Sequence, residues 1–385
     1  MNYSIEKDLL TIFLNGRIDS VNSESTLADI NKIISDNSFE NLVFDAENLI
    51  YISSAGLRVI LKIKKNFKSL KIINVSSEVY EIFDMTGFTE MLEIEKAYRK
   101  LSVDNCEIIG RGACGTVYRL DCDTVIKVFK STYSLENIIS ERELARKAFI
   151  MGVPTAIPYD VVKVGNSFGS VFELLNAKSF AELIIEAPEK KDEILKLYVD
   201  TLKTVNAVDA RDKGLPSAKE NVLKILPIIK NCFSDSQYKK LYELINFVPE
   251  SFNMIHGDFH IKNLMMQNSE PVIIDMDTLS VGNPIFELAA IFIAYCCYSE
   301  NDHDNTMEFY GMPYESAIDI WNNTLKLYFD NRLDELESIT EKIKLVGYTY
   351  FLYYMVTDDE PNDLNIKTSI NHISELLEKL TTLNF

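Results

Sequence analysis

A chain of 385 residues is long for a single hydrophobic core and predicts two or three folding units. Hydrophobic residues make up 47% and charged residues 25%, the composition of an ordinary globular protein rather than a disordered or membrane-spanning one. The net charge of −19 divides unevenly, −3 in residues 1–100 and −16 in the remainder, which argues against nucleic acid and anionic membranes as partners because both require basic surface.

In chain order, Leu9–Asn15 alternates like a strand, and Ser20 or Asn22 caps a predicted helix running to about Ile34. Asn41–Asp45 is a short apolar strand. Ser53 or Ser54 then caps a helix over AGLRVILKIKKNF. Leu70–Val75 is another strand, followed by a helix over Ser77–Met85. Strands alternating with helices predict a helix-covered sheet, an α/β domain spanning residues 1–100.

The stretch Leu42–Leu61, LVFDAENLIYISSAGLRVIL, resembles the STAS domain, the anti-sigma-factor-antagonist fold. The resemblance covers nearly all of residues 1–100 and implies an interaction or regulatory module with a protein partner. In that family the serine just before the loop glycine is often phosphorylated. Alignment on Gly56 puts Ala55 there, so the usual acceptor hydroxyl is missing.

Residues 104–130 differ in kind. Gly110-x-Gly112-x-x-Gly115-x-Val117 reads as a glycine hairpin, in which backbone N–H groups can approach phosphates without side-chain clash. A strand-like TVYRL follows where a dinucleotide fold would need a helix. Lys127 sits in the strand VIKVF and needs an anionic partner. Glu141 and Glu143 both qualify, and Glu141 is preferred because Leu144, Ala145 and Ala148 then fall at +3, +4 and +7 on one apolar face. Residues 135–151 have helical spacing, and Thr155–Val164 and Gly169–Leu175 read as strands. The pattern from 179 onward is mostly helical, interrupted by a compact stretch at 254–284. Leu288–Tyr298 is apolar but too short to span a bilayer, and predicts a buried helix. The N-terminus lacks the pattern of an export signal. Six scattered cysteines without CxxC spacing predict a reduced, cytoplasmic protein.

The most specific motif is His256-Gly257-Asp258-x-x-x-x-Asn263. Transfer to a hydroxyl needs a carboxylate that orients the nucleophile and takes its proton, which fits Asp258. It also needs oxygen ligands for Mg²⁺, which fits Asn263 and Asp275, the latter at the end of the apolar strand Pro271–Asp275. His256 is expected to tie the loop together, and His260 either to approach the transferred phosphate or to pack the loop. Asp277 is expected to be a solvated turn residue.

HGDFHIKN at 256–263 and VIIDMDTLSVGNPIFELA at 272–289 resemble the aminoglycoside phosphotransferase and choline kinase superfamily, over residues 101–385. The resemblance implies an α+β two-lobed protein-kinase-like domain, with a small lobe at about 101–175 and a mostly helical large lobe at about 176–385. It implies an ATP- and magnesium-dependent transfer of the γ-phosphoryl group to a small-molecule hydroxyl. Gly110, Gly112, Gly115, Val117, Lys127 and Glu141 would bind nucleotide, together with backbone groups of Glu173 and Leu175 at a hinge. Asp258 would be catalytic, and Asn263 and Asp275 would hold the metal. Glu287 stands where the family usually has Asp. With Glu300, Asp302, Asp304 and the run 358–363 it suggests an acidic lip for a cationic acceptor. A signalling protein kinase, acting on a partner or on itself at Ser53 or Ser54, and a nucleotide-binding regulatory module are the alternatives.

Overall fold

A computed structural model describes residues 1–67, 69–112 and 114–385. The chain forms two compact units: residues 1–102 together with 162–166, and residues 103–161 with 167–385.

The first unit is a five-stranded sheet in chain order, formed by Asn2–Glu6, Leu9–Ile18, Asn41–Ile52, Lys71–Val75 and Glu93–Lys96. The first pair is antiparallel and the rest are parallel. Leu10, Ile12, Leu14, Leu42, Phe44 and Ile72 alternate into the core under the helices Ser23–Asp36, Ser54–Asn66 and Ser77–Met85. Two strands run differently from the sequence reading. Asn2–Glu6 carries no buried residue and so no apolar alternation to read; the two-residue turn at Lys7, with φ of 55°, adds it to the edge. Asn41–Ile52 continues well past Asp45, because it bulges at Ala46–Glu47 and again at Ile50, which lets Asn48, Leu49 and Tyr51 resume pairing with Asn15–Arg17.

Ser53 starts the second helix. Its hydroxyl accepts from the N–H groups of Ala55 (3.2 Å) and Gly56 (3.4 Å), and its own N–H donates to Ile18 O at 2.9 Å. Gly56 is the contact point of helix and sheet, since a Cβ there would lie 2.6 Å from Ile18 O and 2.7 Å from the Ile52 side chain.

In the second unit, the small lobe centres on the strand Thr124–Phe129. Ser167–Glu173 lies antiparallel on one side and Gly115–Arg119 on the other, with Ile108–Arg111 beyond. Helix Leu135–Ile150 packs on this sheet. The large lobe is helical around Ile285–Tyr295, which is apolar on nearly every face and largely buried, so it forms a central axis rather than an amphipathic surface helix. Leu336–Thr357 packs closely along it at Gly347. Two short strand pairs interrupt the helices: Asn253–Ile255 with Ser280–Gly282, and the hairpin Leu264–Gln267/Glu270–Ile273. No helix among the described residues is long and apolar enough to cross a membrane.

Gly56→Ala should destabilise the first unit by about 1–3 kcal/mol, because the Ile18 carbonyl and the stiff inner atoms of the β-branched Ile18 and Ile52 side chains occupy the space. Ser53→Ala should cost about 1 kcal/mol through the lost cap. Urea unfolding of the full chain, followed by a probe in each unit, checks both; an unchanged midpoint for the first unit would refute the packing argument.

Candidate active site

Strand Asn253–Ile255 delivers His256 into the core, where it is fully buried. Its Nδ1 accepts from the Asp258 N–H at 3.2 Å, leaving Nε2 to donate to Ile274 O at 3.2 Å. Burial lowers its proton affinity, outweighing the nearby Asp258 charge, so the ring is a neutral tie within the loop. Gly257 has φ of 83°, and a Cβ there would meet Thr278 at 3.0–3.1 Å. Glu287 is also completely buried. Its two carboxylate oxygens accept the N–H groups of His256 (2.6 Å) and Gly257 (2.9 Å). Thr278 Oγ1 donates to His256 O at 2.7 Å. Farther along, the Ile261 N–H donates to the Tyr295 hydroxyl at 2.9 Å, and the Tyr198 hydroxyl to Phe259 O at 2.7 Å. The loop therefore hangs from two residues of the central helix.

This suspension fixes Asp258 with 42% of its side chain exposed. Asn263 Nδ2 donates to its Oδ2 at 2.9 Å, and His260 Nε2 lies 3.5 Å from Oδ1. Burial pushes the carboxyl upward, but these donors outweigh it and hold Asp258 below the usual carboxylate range. His260 packs edge-on against Phe309 and Tyr310, and its Nδ1 accepts from the Lys262 N–H at 3.3 Å.

The hairpin after the loop brings Asn263 and Asp275 together. Leu264 pairs with Ile273, and the Ile274 N–H donates to Asn263 O at 2.9 Å, which places Asp275 one residue beyond that bond. Asp275 takes a left-handed backbone, φ 65°, uncommon for a residue with a side chain. Its Oδ1 lies 2.9 Å from Lys127 Nζ, and Glu141 Oε1 lies 2.8 Å from the same nitrogen. Glu141, and not Glu143, is thus the helix residue that meets Lys127; Glu143 pairs with Arg142 and Arg146 instead. Burial raises Glu141. Burial opposes the charge of Lys127, but Asp275 and Glu141 dominate and keep it protonated.

Asp277 departs from its reading as a solvated turn residue. It is partly buried, and burial together with the Asp275 charge pushes it up to about 7. Glu287 and Glu300 likewise leave the expected acidic lip. The first is spent on loop backbone, and the second accepts from Tyr348 (3.0 Å) and pairs with His372 (2.7 Å).

On the small-lobe side, Val117 pairs directly with Lys127 and shares its face of the sheet. The three motif glycines are unequal. A Cβ on Gly115 would overlap Val128 O, whereas Gly110 and Gly112 meet nothing closer than 3.8 Å. At the hinge, the Glu173 N–H donates to Ile157 O (3.0 Å) and the Leu174 N–H to Asp123 O (2.8 Å). Leu175 makes no backbone N–H bond among the described residues. The Glu173 carboxylate turns back toward the Ile157 N–H, 3.4 Å away.

The donor set suits Mg²⁺. Asn263 has committed Nδ2 to Asp258 and keeps Oδ1, and Asp275 adds a carboxylate. No three acidic, His or Cys side chains form a self-sufficient cage among the described residues. A small octahedral ion held by one or two protein oxygens, with phosphate and water completing its shell, fits that arrangement.

Residues 105–321 match the family model described as "Phosphotransferase enzyme family" and residues 1–101 the STAS domain model. Over 90 residues the chain is 30% identical to BtrV of Bordetella bronchiseptica, named for an anti-sigma factor antagonist role; the match covers 22% of this chain and 77% of that protein. Among solved structures, ADP-bound aminoglycoside phosphotransferase APH(2'')-Ib aligns over 79% of this chain and 97% of its own, with 16% identity and a TM-score of 0.47. A choline/ethanolamine kinase family protein from Mesorhizobium loti aligns over 71% and 88%, with 13% identity and a TM-score of 0.42. The chain therefore belongs to the phosphotransferase enzyme family, with a STAS domain at its N-terminus and a kinase-like fold behind it.

Proposed function

We propose that residues 101–385 transfer the γ-phosphoryl group of ATP to a hydroxyl of a small molecule, and that residues 1–100 act as an interaction module for a protein partner. The observation that carries the transfer reading is the convergence of Lys127, Glu141 and Asp275 within hydrogen-bond distance, in the same unit as an Asp258 that is ionised and exposed. The chemistry divides among them. Lys127 moves from Asp275 to the nucleotide phosphates while Glu141 keeps its position. The glycine hairpin and Val117 cover the nucleotide, and the backbone of Glu173 and Leu175 meets its base. Asp258 orients the acceptor hydroxyl and takes its proton as the new P–O bond forms. A Mg²⁺ ion held by Asn263 and Asp275 would supply charge neutralisation at the phosphates.

A cationic acceptor is supported by what surrounds Asp258. The phenols of Tyr298 and Tyr354 are pushed up first by burial, next by Cys297 and by Tyr298 respectively, and only then by the Asp258 charge, and both residues keep about 40% exposure (40% and 41%). Asp358 also acts on Tyr298, and Asp277 on Tyr354. Aromatic faces beside carboxylates suit an ammonium group. The six free thiols fit a reducing, cytoplasmic setting.

Asp258→Ala should lower turnover about 100-fold or more while ATP affinity changes little. ADP release and nucleotide titration, run against aminoglycosides, choline-like amines, sugars and a generic protein, test this; unchanged turnover would reject the role. Lys127→Ala should weaken nucleotide binding, and Asp275→Asn should remove its dependence on Mg²⁺, both visible by calorimetry.

For Glu287, burial raises the folded carboxyl from 4.5 to about 7. The folded state then binds more protons than the unfolded one between those values, so this group's contribution to stability falls as pH rises through that window. Glu287→Gln should flatten that part of a stability-versus-pH curve. Glu287→Ala should instead cost about 1–3 kcal/mol per unpaired N–H at every pH.

A further inference from the structure

The transfer chemistry uses Asp258, but nothing in it says what fixes the loop that carries Asp258. Glu287 holds that loop by its first two amides, and Glu287 is itself held. Asn206 ends the helix Lys191–Asn206 and is 3% exposed. Its Nδ2 donates to Met254 O at 2.9 Å and to Glu287 Oε2 at 3.4 Å. Its Oδ1 accepts from the Tyr328 hydroxyl at 2.9 Å, and its backbone O accepts from Asn253 Nδ2 at 2.5 Å. Tyr328 ends another helix, Tyr314–Tyr328, and its ring lies 6.0 Å from Lys203 Nζ.

The orientation of the Asn206 amide is forced. Met254 O is a backbone carbonyl and can only accept, so the NH₂ end must face it. The carbonyl end must then face Tyr328, whose hydroxyl is left to donate. Each bond fixes the next: Tyr328 sets Asn206, Asn206 sets Glu287 and the strand residue Met254, and these set His256 and Gly257 immediately before Asp258. The middle steps, from Asn206 to Met254 and Glu287 and from Glu287 to the His256 N–H, are buried, where a lost partner is costly.

We propose that Asn206 and Tyr328 are positioning residues that set Asp258 through Glu287, although neither touches substrate. The dependence of turnover on them rests on the phosphotransfer reading; the ordering of the loop does not. Tyr328→Phe removes one hydroxyl and keeps the ring, and Asn206→Ala removes the whole link. Hydrogen–deuterium exchange on the full chain reads the amides of residues 253–259, beside steady-state ADP release. The expected result for Tyr328→Phe is exchange roughly 2- to 12-fold faster at 253–259, with Leu336–Thr357 unchanged. Turnover should fall while KM for ATP stays constant. Unchanged exchange at 253–259 in both variants, an equal rise throughout the large lobe, or faster exchange with undiminished turnover would each overturn the proposal. If the wild-type chain shows no turnover with any acceptor, the phosphotransfer reading fails, and the exchange measurement still decides whether the relay orders the loop.

Discussion

The kinase-like unit depends on one lysine that is never left alone. Lys127 rises from a small-lobe strand, Glu141 comes from the helix packed on that strand, and Asp275 comes from the large-lobe hairpin. A buried ammonium is costly without a counter-charge, and a buried carboxylate equally so. The two costs cancel only while all three elements keep their places. Lys127 therefore registers helix against sheet and small lobe against large lobe before any nucleotide arrives. Two carboxylates around one cation also leave a surplus negative charge on the cluster.

The second constraint is backbone supply. The loop from His256 to Asn263 has no regular structure, so its N–H and C=O groups need partners elsewhere. They find them on the buried side chains of Glu287, Tyr295 and Tyr198 and on the Thr278 hydroxyl. A loop held this way behaves as part of the core, and Asp258 gains a fixed direction without a rigid element beneath it.

What could be read from the sequence follows the range of the physics. Lys127 beside Glu141 was legible because a lone lysine in an apolar strand demands an anion, and the +3, +4, +7 spacing chose which glutamate faces inward. The helix start at Ser53 or Ser54 is local and was equally accessible, and the structure gives the cap to Ser53; the Ser76 cap and the 264–273 hairpin are local too but were not singled out. Glu287 was not. Read by charge alone it belongs on a surface, and only the fold brings two orphan amides to it across roughly thirty residues. Asp277 failed for the same reason, since polar flanks do not reveal the carboxylates gathered around it. The extension of Asn41–Ile52 was hidden by Glu47 and Asn48, which look like a turn but belong to a strand that bulges there and then resumes its pairing. Asn206 and Tyr328 carry no short-range signal; each is one polar residue at the end of an ordinary helix.

The glycine hairpin divides further than its motif suggests. Gly115 is excluded from change by Val128 O, so it belongs to the architecture of the sheet, whereas Gly110 and Gly112 have room for a Cβ at ordinary contact distance. Selection can then act on the two separately. Drift at positions 110 and 112 alters how closely the roof approaches a nucleotide without disturbing the strands, and drift at 115 is purged with the fold. On the proposed phosphotransfer reading, nucleotide affinity would then be heritable independently of stability, and a lineage could retune one without first having to repair the other.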